Sequence, residues 1–141
     1  MMIRNGIQDD IYNLGKYGCA FLSALRFFQF DIDDLSKAVA FCRNERIIDN
    51  EYTILSWERL FNALDQKKRH WKCRKVLAQD TSDDELRKAD CVICEYKNDT
   101  TGLRHFVLLD KNLDIKYDGL YNSITVKNGY RYSYRVFNIV D

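Results

Sequence analysis

The chain has 141 residues, of which 46% are hydrophobic and 30% are charged. That balance is typical of a folded globular protein with a sizeable core and excludes a disordered chain. The 22 Lys and Arg residues nearly cancel the 21 Asp and Glu residues, leaving a net charge of +1, so no overall field selects a nucleic acid or a membrane surface as a partner.

The first half of the chain predicts three helices. An apolar-periodic run begins at Cys19 and extends to about Phe28. The acidic stretch over 31–34 supplies N-cap candidates for a second helix, which continues to about Cys42. Ser56 caps a third helix. The apolar positions of this third helix follow the i, i+3, i+4, i+7 spacing of a buried face: Trp57, Leu60, Phe61 and Leu64.

The second half of the chain predicts strands. Their β-branched and aromatic residues lie at 75–78, 91–96, 105–109, 115–117, 123–127 and 130–139. Residues 83–88 form a short helix, and Asn128-Gly129 predicts a type I′ turn that joins the last two strands as a hairpin. Helices followed by strands predict an α+β fold, with the N-terminal helices packed on an antiparallel β-sheet. Since no linker divides the chain, we expect one domain over residues 1–141.

Cys19 is the first candidate functional residue. It follows Gly18 at the predicted start of the first helix, where unpaired N–H groups and the positive end of the helix dipole stabilise a thiolate. A thiol in this position is suited to act as a nucleophile. The alternative is a plain core residue, since free cysteine is among the most buried residue types.

His105 and Asp118 are predicted to face each other across a hairpin. His105 begins one strand, and a polar turn over 110–114 leads into the strand that precedes Asp118. With the loop centred between Lys111 and Asn112, the two residues are directly opposed, and such pairs have Cβ atoms roughly 4.5–5.5 Å apart. An imidazole N–H would then reach the carboxylate.

The order of these residues resembles that of the papain-like cysteine peptidases. The segments that carry the resemblance are Gln8-Asp9, Gly18-Cys19, His105-Phe106-Val107-Leu108 and Tyr117-Asp118-Gly119. They are most similar to the branch of bacteriocin-processing peptidase domains and their phage-encoded relatives. The resemblance implies a papain-like fold with Cys19 as nucleophile, His105 as general base, Asp118 as the group that orients the imidazole and Gln8 as oxyanion donor. Asn13 is a second amide ahead of Cys19, but the longer side chain of Gln8 reaches further across an intervening turn.

This set of residues predicts thiol-dependent acyl transfer. His105 accepts the thiol proton and later donates it to a leaving amine, while Asp118 fixes the imidazole tautomer. Gln8 and the backbone N–H of Cys19 stabilise the tetrahedral oxyanion. The expected protein is a cysteine peptidase or amidase that needs no cofactor or metal and acts on a peptide or a peptidoglycan cross-link.

A basic segment supports a different class of function. Residues 67–75 are mostly Lys and Arg and include Trp71, a composition that can contact phosphate or another anionic polymer. The alternative to an enzyme is therefore a catalytically inactive papain-like binding module that uses this segment. A charge run after a helix is more often its solvated end, and the near-neutral total charge argues against a nucleic-acid partner.

Two further pairs have the residue types of a zinc site, namely His70-x-x-Cys73 and Cys91-x-x-Cys94. Val92 and Ile93 make the second pair typical of a buried strand, in which residues three apart point to opposite faces. The preferred interpretation is a chain without a metal.

The cysteine count and the N-terminal residues indicate a cellular compartment. Five cysteines form an odd set, which favours reduced thiols over a disulfide framework. The N-terminal residues lack an apolar signal core, and no apolar run is long enough to cross a bilayer. We therefore expect a cytoplasmic protein that does not engage a membrane, with its oligomeric state left open.

Overall fold

Five antiparallel strands form one sheet in the structure, a computed structural model that describes residues 18–118 and 124–140. The strands lie in the order β1-β5-β2-β3-β4. They are β1 (His70–Leu77), β2 (Cys91–Lys97), β3 (Arg104–Leu109), β4 (Ile115–Asp118) and β5 (Tyr130–Val140). The last strand in sequence is inserted between the first two, where it pairs with both β1 and β2. The predicted α+β class and antiparallel sheet are confirmed.

Three of the five helices of the described residues begin at a side chain that caps them. They are α1 (Cys19–Phe27), α2 (Ile32–Asn44), α3 (Trp57–Leu64), α4 (Asp83–Arg87) and α5 (Ile124–Asn128), with a 3-10 turn at Ala78–Asp80. The carboxylate of Asp31 accepts hydrogen bonds from the first-turn N–H groups of α2, and Ser56 and Ser82 do the same for α3 and α4. Among the described residues, no helix has the length and apolar character needed to span a bilayer.

One face of the sheet packs against α1 and α3 through an aromatic cluster, and buried residues of α2 belong to the same core. The rings of Phe61 and Phe137 stack at 3.7 Å with 5° between their planes. Trp71 meets Phe61 edge-on at 5.3 Å, and Phe27 of α1 stacks on the same ring at 5.7 Å. Such ring pairs contribute roughly 0.5–1.5 kcal/mol each beyond the area they bury. This cluster fixes the direction in which α1 approaches the sheet.

The opposite face of the sheet carries a second apolar cluster. Its strand residues are Val92, Cys94, Tyr96, Val107, Leu109, Tyr134 and Val136. Leu86 of α4, Leu113 of the β3–β4 loop and the partly buried Val126 of α5 cover it. The sheet is therefore packed on both faces, which explains why every residue from Cys91 to Tyr96 in β2 is buried.

The strand predicted at 123–127 is wrong, as is the hairpin predicted at Asn128-Gly129. The described residues of this segment form α5, and its β-branched side chains reflect a preference that packing overrides. A type I′ turn needs positive φ at both central residues, and neither Asn128 nor Gly129 has it. Gly129 instead permits a close backbone approach, since a Cβ there would lie 2.5 Å from the carbonyl oxygen of Lys97.

β1 begins at His70, five residues earlier than the predicted start at Lys75. The interpretation of the basic segment as a solvated helix end is thereby corrected. Asn62 and Glu58 of α3 accept hydrogen bonds from the N–H groups of Trp71 and Cys73, which ties the strand to the helix. The alternation of Trp71 and Cys73 with charged residues is the period-2 signal of a strand.

Candidate active site

Cys19 lies where the N-terminus of α1 meets the sheet. It is the first residue of the helix and follows the N-cap Gly18. The N–H of Leu22 makes the first helical hydrogen bond, to the Gly18 carbonyl at 2.8 Å, so the N–H groups that precede it have no acceptor within the helix. The backbone N–H of Phe106 in β3 donates to Sγ of Cys19 at 3.4 Å. An N–H donor of β3 and the N-terminal end of a helix therefore lie next to the sulfur.

His105 and Asp118 are joined by a side-chain hydrogen bond between Nε2 and Oδ1. The predicted register is wrong, because Asp118 pairs with Val107 and a shift separates the Leu108 and Leu109 pairs. His105 is two residues from Val107 along β3, and it therefore points to the same side of the sheet as Asp118. The two side chains meet diagonally across the ladder rather than directly.

The imidazole of His105 lies near both the carboxylate and the sulfur. Burial lowers the pKa of His105, but the neighbouring Cys19 thiol and the hydrogen bond to Asp118 outweigh that effect and raise the pKa above 6.5. Because Nε2 faces Asp118, Nδ1 is the nitrogen left for the sulfur. The ring itself is only 2% exposed. Water therefore competes little for the hydrogen bond between the ring and Asp118.

The other four cysteines lie in environments that keep them protonated. Burial raises the pKa of Cys42 and of Cys73 to about 11, and that of Cys94 to about 12. Burial also raises the pKa of Cys91. At pH 7, a thiol with a pKa of about 11 is ionised in roughly one molecule in ten thousand. These four thiols are poor nucleophiles near neutral pH.

A cleft of about 300 Å³ opens beside Cys19. Its walls are Trp57 of α3, Phe106 of β3 and the loop over 52–54. Trp57 and Phe106 contact each other with ring centroids 5.8 Å apart. Cys19 is half-buried and borders this cleft. Cys19 is therefore not the fully buried core residue that the sequence allowed as an alternative.

Two arginines on the sheet also line the cleft, and the sequence analysis did not single them out. Arg104 begins β3 and Arg135 lies in the middle of β5. The carboxylate of Glu95 in β2 lies 3.4 Å from Arg104 and 3.7 Å from Arg135. The sequence does contain a signal for Arg135. In β5 it alternates with Ser133 and Phe137, and this period of two places it on the face of the sheet that α1 and α3 cover.

The remaining candidates lie elsewhere. Gln8 and Asn13, the two amides considered as oxyanion donors, are outside the described residues. Cys91 packs in the cluster beneath the helices and Cys94 in the opposite one. Within residues 18–118 and 124–140, no group of three or more His, Cys, Asp or Glu residues is arranged to hold a metal ion.

Comparisons with known proteins gave no relative. No protein family, no curated protein and no solved structure matched the chain.

Proposed function

We propose that the protein is a papain-like cysteine peptidase or amidase with Cys19 as nucleophile. The observation that carries this proposal is the position of the His105 ring, which is hydrogen-bonded to the Asp118 carboxylate and lies close enough to the Cys19 sulfur for that sulfur to raise the pKa of His105. A nucleophile, a base and a group that orients the base are the three parts that covalent catalysis requires.

The arrangement of elements supports the papain-like part of the proposal. The cysteine begins a helix that packs on the strand of the histidine, and the aspartate lies on the neighbouring antiparallel strand. This is the order that the resemblance to papain-like peptidases implies. The cleft of about 300 Å³ beside Cys19 has the volume of a small-ligand site, with Trp57 and Phe106 as apolar walls.

The proposed reaction is amide hydrolysis in two steps. The proton of the Cys19 thiol moves to Nδ1 of His105, and the thiolate forms a bond to the carbonyl carbon as the C=O electron pair moves to oxygen. In this proposal the backbone N–H of Cys19, at the start of α1, donates a hydrogen bond to that oxyanion. The C–N bond then breaks, and His105 returns the proton to the leaving amine. Water, deprotonated by His105, hydrolyses the thioester and releases the acid and the free thiol.

Selective alkylation tests the nucleophile without a known substrate. We expect iodoacetamide at pH 7 to modify Cys19 at least about a hundredfold faster than the four other cysteines, because their raised pKa values leave almost no thiolate. Peptide mapping by mass spectrometry measures the rate at each site. Cys73 is the matched internal control, since it is also half-buried. Equal rates at Cys19 and Cys73 would contradict the proposal.

The alternative, a non-catalytic binding module, has one observation in its favour. The side chains of His70, Lys72 and Arg74 are exposed at alternate positions of the edge strand β1. Arg69, by contrast, is engaged by Asp65 through two hydrogen bonds. A binding module predicts salt-sensitive retention on an anionic resin together with unselective alkylation. Selective alkylation of Cys19 therefore separates the two functions.

A further inference from the structure

The cleft beside Cys19 holds more positive than negative charge. Arg104 and Arg135 both line it, whereas no acidic residue does among the described residues that form its walls. Glu95 lies behind the two arginines and is only 4% exposed. One carboxylate therefore faces two guanidinium groups, which leaves one positive charge without a counterpart in this cluster.

The two guanidinium groups are held in place by the sheet beneath them. Ser133 donates a hydrogen bond to Glu95 at 2.6 Å and accepts one from Nη1 of Arg135 at 2.9 Å. Arg135 also lies over the ring of Phe106, with Cζ 5.4 Å from the centroid. Arg104 lies over the ring of Tyr132 at 4.9 Å. Groups fixed in this way lose little further freedom when a ligand binds.

Both arginines retain donors for a ligand. A guanidinium has five N–H donors in a planar fork, and Glu95 and Ser133 occupy only part of this set. The side chain of Arg104 is 46% exposed. A carboxylate is the anion that matches the fork in two parallel hydrogen bonds.

The position of the arginines relative to the Cys19 sulfur sets the distance between the amide that reacts and the substrate group that the arginines bind. The N–H of Phe106 contacts Sγ of Cys19, and Arg104 precedes Phe106 by two residues on the same face of β3. Two residues of a strand span roughly 6.6 Å. A substrate in extended conformation advances roughly 3.3 Å per residue, so the arginines reach groups up to two residues from the scissile amide.

From this geometry we infer that Arg104 and Arg135 bind a carboxylate of the substrate, within two residues of the amide that Cys19 attacks. The inference rests on the proposed function, because it takes the sulfur of Cys19 as the reacting atom. The substrate class is then an acidic peptide, in which the carboxylate belongs to an Asp or Glu side chain or to the C-terminus.

A pair of alkylating reagents tests the inference on the full chain. Iodoacetate and iodoacetamide react alike: the Cys19 sulfur forms a bond to the CH₂ carbon, iodide leaves with the bonding electrons, and any thiol proton passes to His105. The reagents differ in charge, since only iodoacetate carries a carboxylate. We expect the ratio of the iodoacetate rate to the iodoacetamide rate at Cys19 to fall on the order of fivefold in Arg104→Gln.

Matched variants separate a local effect from a general one. Arg74→Gln removes an exposed arginine from the basic segment on β1 and should leave the ratio unchanged. Arg135→Gln should lower the ratio as Arg104→Gln does, and the more exposed Arg104 provides the test if Arg135→Gln fails to fold. The inference is overturned if the folded arginine variants at the cleft keep the ratio of the parent protein.

Three peptides identify the source of the carboxylate through protection of Cys19 from iodoacetamide. Acetyl-Ala-Glu-Ala-amide carries it on a side chain, acetyl-Ala-Gln-Ala carries it at the C-terminus, and acetyl-Ala-Gln-Ala-amide has none. Better protection by either acidic peptide supports the inference and names the source, whereas equal protection by all three counts against it. Selective labelling by iodoacetamide without any carboxylate effect would remove only this inference. Unselective labelling would remove the proposed function as well.

Discussion

The two edges of the sheet are built differently. At β1, eight residues pair with β5 in an unbroken register. At β4, a four-residue strand pairs with β3 across a register shift. The regular edge carries the alternating side chains of β1. At the irregular edge, the N–H of Phe106 donates to the sulfur of Cys19. The candidate site therefore lies at the irregular edge of the sheet and away from the regular one.

Replacing His105, the proposed base near β4, should produce the largest difference in cysteine reactivity between the two edges. His105→Gln keeps a side chain that can bond Asp118 but cannot take a proton from the thiol. We expect alkylation of Cys19 by iodoacetamide at pH 7 to slow by roughly 10²-fold. Cys73, near the β1 edge, should react at an unchanged rate.

The stability of the His105→Gln variant must be measured as a control. Urea denaturation should show that His105→Gln remains folded, so that a slow reaction reports lost chemistry. Fast alkylation of Cys19 in the folded variant would mean that His105 does not activate the thiol.

The β1 edge should respond in stability rather than in reactivity. Asp65 ends α3 and accepts hydrogen bonds from Nε1 of Trp71 and Nε of Arg69, both at 2.8 Å. Asp65→Ala would leave the buried indole N–H unpaired, and we expect a loss of about 2 kcal/mol in the free energy of unfolding. The selectivity of alkylation at Cys19 should persist while the protein is folded. A loss of selectivity in the folded variant would show that the two edges are coupled.

The same carboxylate predicts how stability depends on pH. Burial raises the pKa of Asp65, but its hydrogen bonds with Arg69, Trp71 and the N–H of Lys67 prevail and lower the pKa to about 2. A carboxyl whose pKa is lower in the folded state contributes stability above its unfolded pKa, and loses it as the pH falls from about 4 to about 2. Urea midpoints measured across this range should fall less steeply for Asp65→Ala than for the parent protein.

The smallest expected effect is that of the orienting carboxylate at the β4 edge. Asp118→Asn removes the carboxylate that helps to raise the pKa of His105. His105 should then lose its proton at lower pH, and alkylation of Cys19 at pH 7 should slow by about tenfold. An NMR titration follows the ring protons of His105, with the only other histidine, His70, as reference. An unchanged His105 titration would mean that Asp118 does not influence the imidazole.

Local signals in the sequence located most elements of the fold. Asp31 and Ser56 cap helices as predicted, because capping depends on a side chain and the next few N–H groups. The prediction of a strand at 123–127 was wrong because packing of α5 on the second apolar cluster decides its conformation. Rules based on neighbouring residues in the sequence cannot predict that contact.

The candidate site was predictable in its residues but not in its geometry. Cys19, His105 and Asp118 have the residue types and the order that the chemistry requires, and the structure brings them together. The diagonal pairing of His105 with Asp118 depends on a register shift that the turn sequence does not specify. Arg135 escaped notice because its relation to the cleft arises only when β5 is inserted between β1 and β2.

The hydrogen bond from the Phe106 amide to Sγ of Cys19 gives the protein a built-in reporter. A thiolate accepts such a bond strongly, whereas the sulfur of a thioester or thioether accepts it weakly. In the proposed reaction, the ¹⁵N and ¹H chemical shifts of that one amide should therefore change as the sulfur is acylated and released. This single resonance would then time each stage of the proposed reaction without a chromogenic group on the substrate.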